Sequence, residues 1–148
     1  MKNSFTCTVM SLATLLLFAS CNKEEPLSLL SGVWRFEEVT FRKGLSLHKS
    51  DHTDAYRDIR LHFFDDYTFL YHHLGRNIEL TGYWEMDEEV QHTGENTITY
   101  TYLDWWAEDN RGNREEAKWN NLKLHKGRIR VTESKNGGSY VYRLVKEY

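Results

Sequence analysis

The sequence has almost no cysteine and almost no proline. Its two cysteines, Cys7 and Cys21, both lie within the first 21 of 148 residues, and Pro26 is the single proline. Beyond residue 21 the chain therefore has no disulfide and no cysteine ligand for a metal, and its stability must come from packing. With no linker composition after Pro26, residues 31–148 are predicted to form one domain.

Long apolar runs are also missing. The longest, from Val9 to Phe18, is interrupted by Ser11 and Thr14, and its ten residues fall short of the roughly 20 that cross a bilayer. Lys2 precedes the run and small residues follow it, which is the layout of a secretory signal peptide. We predict that residues 1–20 are removed.

Basic side chains are too few and too scattered for a polyanion-binding surface. Of the 19 Lys and Arg only Lys2 lies in residues 1–20, so the remaining 128 residues carry 18 basic and 22 acidic side chains, a net charge of −4. Such a chain repels a phosphate backbone, so nucleic acid and anionic lipid are excluded as electrostatic partners. A chain of this length has room for one domain with a core, and not for two.

The junction Phe18-Ala19-Ser20-Cys21 resembles a bacterial lipobox, in which the cysteine becomes the first residue and carries the acyl chains. Phe18 departs from that pattern, because leucine is usual there and Leu17 stands one position earlier. The resemblance implies an acylated Cys21, a tether over residues 21–30 and a membrane as partner. One acyl chain binds a membrane only marginally, and lipoprotein cysteines carry several. An ordinary signal peptide with an incidental cysteine is the alternative.

The next residues, Asn22-Lys23-Glu24-Glu25, resemble the acidic signal that sends some Gram-negative lipoproteins to the outer face of the outer membrane. A solvated spacer is the alternative explanation. The expected location is the outer membrane of a Gram-negative bacterium, lipid-anchored and surface-exposed.

After residue 31 the apolar pattern has a period of two, with turn residues at short spacing and no helical stripe. Turns are predicted at Asp65-Asp66, Gly75-Arg76-Asn77, Lys126-Gly127 and Asn136-Gly137-Gly138. Eight strands follow: Val33–Arg42, Arg57–Phe64, Tyr67–His73, Ile78–Asp87, Asn96–Asp104, Ala117–His125, Arg128–Glu133 and Ser139–Lys146. Long connections are expected at Lys43 to Tyr56 and Trp105 to Glu116. Antiparallel hairpins in this number favour an all-β, eight-stranded up-and-down barrel, which leaves no open edge.

Two short motifs resemble lipocalin signatures. Gly32-Val33-Trp34 is similar to the G-x-W that opens the first lipocalin strand, and Gly82-Tyr83-Trp84 is similar to a second G-x-W of small bacterial lipocalin-like lipoproteins. The resemblance covers most of residues 27–146. It implies that Trp34 packs at the barrel floor under a basic side chain, Arg143 by position, with Lys146 as the substitute. The final helix of larger lipocalins is missing.

Such a barrel is just wide enough to be filled by side chains or to hold one small ligand. Taking the face of Trp34 and Phe36 as inward, alternation also points Ile98, Tyr100 and Tyr102 inward. A pocket with an apolar body and hydroxyl groups is predicted at the mouth. The candidate ligand-binding residues are Phe63, Phe69, Tyr71, Trp84, Tyr100, Tyr102 and Tyr142. Ordinary core packing is the alternative role. Leu45 to Tyr56, in the first long connection, is a candidate lid over the mouth, with a solvated loop as the alternative.

The sequence has no strong motif for metal binding or for catalysis. His72 and His73 are adjacent in a strand and point to opposite faces, while His62 and His72 alone lack a third ligand, so no metal is expected. No serine stands in a nucleophile motif, and the acidic pairs Asp65-Asp66 and Asp87-Glu88-Glu89 fall in predicted turns. We expect neither enzymatic activity nor a cofactor.

Trp105-Trp106, at the edge of a predicted loop, is a candidate surface platform for a sugar or a protein partner; the alternative is that one of the two caps an open end of the barrel. Two functions follow. The first is a lipid-anchored carrier that takes a small apolar or amphipathic ligand at the barrel mouth. The second is a filled barrel that acts as an interaction module for a glycan or a protein.

Overall fold

The structure is a computed structural model that describes residues 26–94 and 96–148. The predicted signal peptide and residues 21–25 of the predicted tether, Cys21 among them, lie outside these residues. The elements, in chain order, are α1 (Pro26–Leu30), β1 (Gly32–Lys43), β2 (Ser50–Asp51), α2 (Thr53–Tyr56), β3 (Ile59–Phe63), β4 (Thr68–His73), a 3₁₀ turn (Leu74–Arg76), β5 (Ile78–Thr93), β6 (Asn96–Glu108), β7 (Arg114–His125), β8 (Arg128–Lys135) and β9 (Gly138–Glu147).

Eight of the strands close into an antiparallel barrel. β1 pairs with β3, each strand from β3 to β8 pairs with the next, and β9 pairs with β1 to close the barrel. The prediction of an all-β, eight-stranded up-and-down barrel is confirmed. Closure satisfies the edge hydrogen bonds that an open sheet would leave unpaired. The two-residue β2 adds only a short pairing to the upper part of β1.

The two ends of the barrel differ. One end, the floor, holds α1 and the turns β3–β4, β5–β6 and β7–β8. The other end, the mouth, holds the long β1–β3 connection and the turns β4–β5, β6–β7 and β8–β9. The four turns predicted from the sequence are present, each between the two strands that it was expected to join. Asn136 and Gly137 both have positive φ, as a tight type I′ hairpin requires.

The second long connection does not exist as predicted. β6 continues to Glu108 and β7 begins at Arg114, so only five residues join them. Asp109 organises this turn, because its carboxylate accepts hydrogen bonds from the backbone N–H groups of Arg111 (2.8 Å) and Asn113 (3.0 Å). An aspartate that binds nearby backbone N–H groups is a common turn former.

Trp34 lies at the floor and is fully buried. Its indole Nε1 donates to the carbonyl of Leu30 at 2.6 Å, which ties β1 to α1. The basic side chain over its ring is Lys146, with Nζ 5.5 Å from the ring centroid. Gly32 makes room for that side chain, since a Cβ at this position would lie 2.5 Å from Lys146 Cε.

The prediction that Arg143 covers Trp34 is wrong. Side chains alternate along β9, with Tyr142 and Leu144 buried in the barrel, so Arg143 points outward. There it is exposed and forms an ion pair with Glu38. The substitute, Lys146, takes the floor position.

The lower half of the barrel is filled with side chains. Phe63 packs against Phe69 with ring centroids 5.0 Å apart and against Trp84 at 5.9 Å. The indole Nε1 of Trp84 donates to the carbonyl of Phe64 at 3.0 Å. Leu61, Leu80 and Leu103 are likewise buried. Any space for a ligand must lie above this layer.

The inward face of β6 differs from the prediction. Leu103, Trp105 and Ala107 are buried, whereas Ile98 is 42% exposed and Tyr100 and Tyr102 lie outside the core. The reason is that β6 pairs with β7 only from Leu103 onward. The residues before Leu103 belong to a two-stranded ribbon with the end of β5, beyond the floor of the barrel, where no interior fixes the register.

The acids Asp87, Glu88 and Glu89 lie in this ribbon and not in a turn, because β5 runs to Thr93. Between Asn77 and Asn110 the sequence has no Lys or Arg, so the ribbon is strongly acidic.

In the part of the chain that the structure describes, no helix has the length and apolar character to cross a bilayer.

Candidate functional site

A pocket of about 260 Å³ lies at the mouth of the barrel, above the packed lower layer. The space exists because Ala117, on the inward face of β7, has a small side chain among large aromatic rings. Two kinds of residue line it. The aromatic and aliphatic residues of the lining are Phe36, Ala55, Tyr56, Ile59, Leu61, Tyr71, Trp105, Ala117, Trp119 and Tyr142. The polar and charged residues are His73, Arg76, Glu115, Glu116, Glu133 and Lys135.

Only some of the predicted ligand-binding residues line this pocket. Tyr71 and Tyr142 do, and both are at least nine-tenths buried. Three others are buried below the pocket in the filled layer, namely Phe63, Phe69 and Trp84. Tyr100 and Tyr102 belong to the ribbon beyond the floor, at the opposite end of the barrel from the pocket.

Trp105 and Trp106 do not form one surface. Both lie in β6, so they point to opposite faces of the sheet. Trp105 is 6% exposed and lines the pocket, whereas Trp106 is on the outside beside Tyr83, with 5.9 Å between ring centroids. The prediction of a Trp105–Trp106 platform is wrong because the pair is part of a strand and not of a loop.

The pocket contains a buried carboxylate that the sequence reasoning missed. Glu133, on β8, is 7% exposed and accepts a hydrogen bond from the Tyr142 hydroxyl at 2.6 Å. Lys135 Nζ lies 3.2 Å from the same carboxylate. Alternation along β8 could have identified this residue. Ile129 and Val131 point inward, and Glu133 is the next residue on the same face of the strand.

The two pocket tyrosines are strongly perturbed. Burial, together with the nearby carboxylate of Glu115, raises the pKa of the Tyr71 phenol to about 12. Burial also raises the pKa of Tyr142, and its hydrogen bond to Glu133 acts in the same direction. Both phenols are therefore neutral at physiological pH and available as hydrogen-bonding groups.

Three polar atoms on pocket-lining residues have no hydrogen-bond partner although they are buried. They are His73 Nδ1, Trp105 Nε1 and Trp119 Nε1. An unpaired buried donor or acceptor costs about 1–3 kcal/mol, so most proteins leave few of them. No other buried side-chain nitrogen or oxygen is without a partner among residues 26–94 and 96–148. Their concentration here marks the pocket as the unusual part of the molecule.

The first long connection covers one side of the mouth. Tyr56, at the end of α2, packs on Phe36 with 5.0 Å between ring centroids and on Tyr142 with 5.6 Å. Thr53 fixes α2 to β1, because its hydroxyl accepts the Val39 backbone N–H at 3.0 Å and donates to Asp51 at 2.6 Å. A lid role for this segment stays a prediction, with α2 as its part in contact with the pocket.

The histidines are dispersed. His62 stacks on Phe64 with ring centroids 3.8 Å apart, and burial lowers the pKa of its imidazole. His52 packs against the rings of Phe41 and Tyr140. Within the described residues no three side chains of His, Cys, Asp or Glu are grouped to hold a metal ion.

The fold and site define the class of a closed, eight-stranded antiparallel barrel with a filled lower half and a small pocket at one end. Comparison of the chain with protein-family models, with curated proteins and with solved structures returns no match. The resemblance to lipocalin-like lipoproteins therefore stays a prediction that rests on the two G-x-W motifs.

Proposed function

We propose that this protein is a lipid-anchored binding protein of the bacterial cell envelope that takes a small apolar or amphipathic ligand into the barrel mouth. The observation that carries the proposal is the pocket of about 260 Å³ at the barrel mouth, whose lining combines aromatic walls with the polar groups of Tyr71 and Glu133. A concave, mostly apolar pocket with a few convergent polar groups is the usual form of a small-molecule site.

The walls of the pocket fit an amphipathic molecule. Aromatic rings supply broad apolar contact, and the phenol of Tyr71 and the carboxylate of Glu133 supply polar contacts on the same lining. At about 260 Å³ the pocket lies at the small end of protein ligand sites, which span roughly 300–1,000 Å³, so it suits a compact ligand. The proposal is therefore for a compact ligand and not for a long acyl chain.

The anchor in this proposal is Cys21, only five positions before Pro26, where α1 begins at the barrel floor. A barrel attached there would hold its floor toward the membrane and its mouth away from it. Location on the outer membrane and exposure at the cell surface belong to the same proposal and rest on the lipobox-like and acidic segments of the sequence.

The test is native mass spectrometry of the full chain, purified with its anchor in nonionic detergent from its native host. We expect a small molecule to co-purify at one copy per chain. Ala117→Phe, which places a ring in the pocket, should remove that molecule, while Lys118→Phe on the outward face should retain it. Circular dichroism verifies that both variants fold. A protein free of ligand, or an Ala117→Phe variant that keeps it, would contradict the proposal.

A further inference from the structure

Glu133 is the one charged side chain that is buried in the part of the chain the structure describes. Removing a carboxylate from water costs several kcal/mol unless hydrogen bonds or an opposite charge compensate it. The Tyr142 hydroxyl compensates only part, because a carboxylate can accept several hydrogen bonds. The site therefore favours a cation next to Glu133.

Aromatic rings form a continuous wall beside this carboxylate. Tyr142 is 5.6 Å from Tyr56 and 5.7 Å from Trp119, and Trp119 is 5.9 Å from Trp105, measured between ring centroids. The faces of Trp and Tyr rings attract organic cations, and this attraction grows when the site excludes water. A carboxylate at an aromatic wall is the chemistry that recognises an ammonium group.

The ammonium group of Lys135 lies next to the Glu133 carboxylate. Its Nζ is 3.2 Å from Glu133 and 5.7 Å from the centroid of the Tyr140 ring. The side chain is 42% exposed and reaches in from the rim. A half-exposed lysine on a flexible stem contributes little to stability through such a pair, so a ligand can displace it at small cost.

We propose that the mouth pocket selects a small organic amine. The ammonium group of the ligand replaces that of Lys135 at Glu133, and the apolar body of the ligand lies against Tyr56, Trp105 and Trp119. This inference rests on the proposed function and adds the chemical class of the ligand to it.

Three probes with the same phenylethyl body test the selection: phenethylamine, 2-phenylethanol and 3-phenylpropanoate. They share a phenyl ring and differ in the head group, which is cationic, neutral or anionic. Each is titrated into the full chain in nonionic detergent at pH 7, with tryptophan fluorescence and calorimetry as readouts. We expect the amine to bind at least about tenfold more tightly than the alcohol, and the carboxylate to bind most weakly.

Two variants give opposite predictions. Glu133→Gln should abolish the preference for the amine over the alcohol. Lys135→Ala should tighten amine binding several-fold, because the competing cation is gone, and should leave alcohol binding unchanged. Lys135→Ala keeps the bond between Glu133 and Tyr142, so it decides the question even where Glu133→Gln does not fold. Glu37→Gln and Lys118→Ala, on the outer face of the barrel, are the matched controls.

The proposal is overturned if 3-phenylpropanoate binds best, if Lys135→Ala weakens amine binding, or if Glu133→Gln leaves the preference intact. In each of these cases the pocket still binds a ligand, so the proposed function stands. If no probe binds while another molecule co-purifies with the chain, the amine class is wrong and pocket binding is right. If no probe binds and nothing co-purifies, both proposals fail.

Discussion

At the scale of single residues, burial gives ordinary side chains unusual properties. Tyr71 is 7% exposed, and the pKa of its phenol rises to about 12, mainly because burial disfavours the charged form. Glu133 and Tyr142 share a short hydrogen bond inside the same pocket. Each of these residues depends on a position on the inward face of a strand, and a shift of one residue would expose it to solvent.

The raised pKa of Tyr71 predicts how stability changes in alkaline solution. Because the folded pKa lies above the ordinary value of 10.0, the stabilisation is complete below pH 10 and is lost as the pH rises toward 12. Each such tyrosine lowers the free energy of unfolding by about 1.4 kcal/mol per pH unit in that window.

The measurement is urea unfolding of the wild type and of Tyr71→Phe between pH 9 and pH 11.5. The variant should lose stability less steeply, by roughly the contribution of one tyrosine. Tyr148→Phe is the control, since Tyr148 is fully exposed at the chain end. Equal slopes for the wild type and Tyr71→Phe would show that the phenol is not perturbed as described.

At the scale of elements, the β5–β6 hairpin is the distinctive feature. Its upper part belongs to the barrel wall, and its lower part is an acidic two-stranded ribbon beyond the floor. Gly82 lies in the upper part, where β5 and β6 approach closely. A Cβ at Gly82 would lie 1.9 Å from the carbonyl oxygen of Trp106, which is backbone and cannot move aside. This contact gives the second G-x-W motif a structural reason.

Gly82→Ala should therefore force β6 away from β5 and lower the free energy of unfolding by about 3 kcal/mol. Gly75→Ala is the matched control, because its Cβ would meet only the end of the Asp58 side chain, which can rotate away. Its effect should stay within about 1 kcal/mol. Chemical denaturation of both variants makes the comparison, and equal stabilities would refute the close approach.

The hairpin also shows why parts of the sheet could not be predicted. The sequence of β6 offers two sets of alternating apolar residues, and either could face inward. One set has even numbers, Ile98, Tyr100 and Tyr102, and the other has odd numbers, Leu103, Trp105 and Ala107. The barrel selects the second set only where β7 pairs alongside, from Leu103 onward. The acidic run Asp87-Glu88-Glu89 suggests a turn by composition, but its pairing with the Thr- and Tyr-rich start of β6 makes it a strand.

At the scale of the whole molecule, the two ends of the barrel have different roles in the proposed function. The floor carries α1, Trp34 and Lys146, and the mouth carries the pocket. Because α1 leads into the barrel at the floor, the proposed anchor at Cys21 would leave the mouth free to meet a ligand.

Cys21→Ser should abolish acylation and move the protein from the membrane fraction to the soluble fraction, with the barrel still folded. The control is Cys7→Ser, a change inside the predicted signal peptide, which should leave both acylation and membrane fractionation intact. Labelling with palmitate and fractionation after a high-salt wash make the measurement. A Cys21→Ser protein that stays in the washed membrane would refute the anchor.

The sequence by itself determined the all-β class, the number of barrel strands and the principal turns. These follow from local signals: a period of two in the apolar pattern and glycine or asparagine where φ must be positive. It also determined that aromatic side chains would fill much of the interior, since residues 22–148 hold all five Trp and all nine Tyr.

Only the tertiary structure decided which residues meet at the pocket. Lys146 rather than Arg143 covers Trp34, Trp105 lines the pocket, and Glu133 lies buried beside Tyr142. The contact of Lys146 with Trp34 joins strands at opposite ends of the chain and depends on barrel closure, and the others depend on the register of each pairing. Alternation gives each strand two possible inward faces, and the shared interior selects one of them.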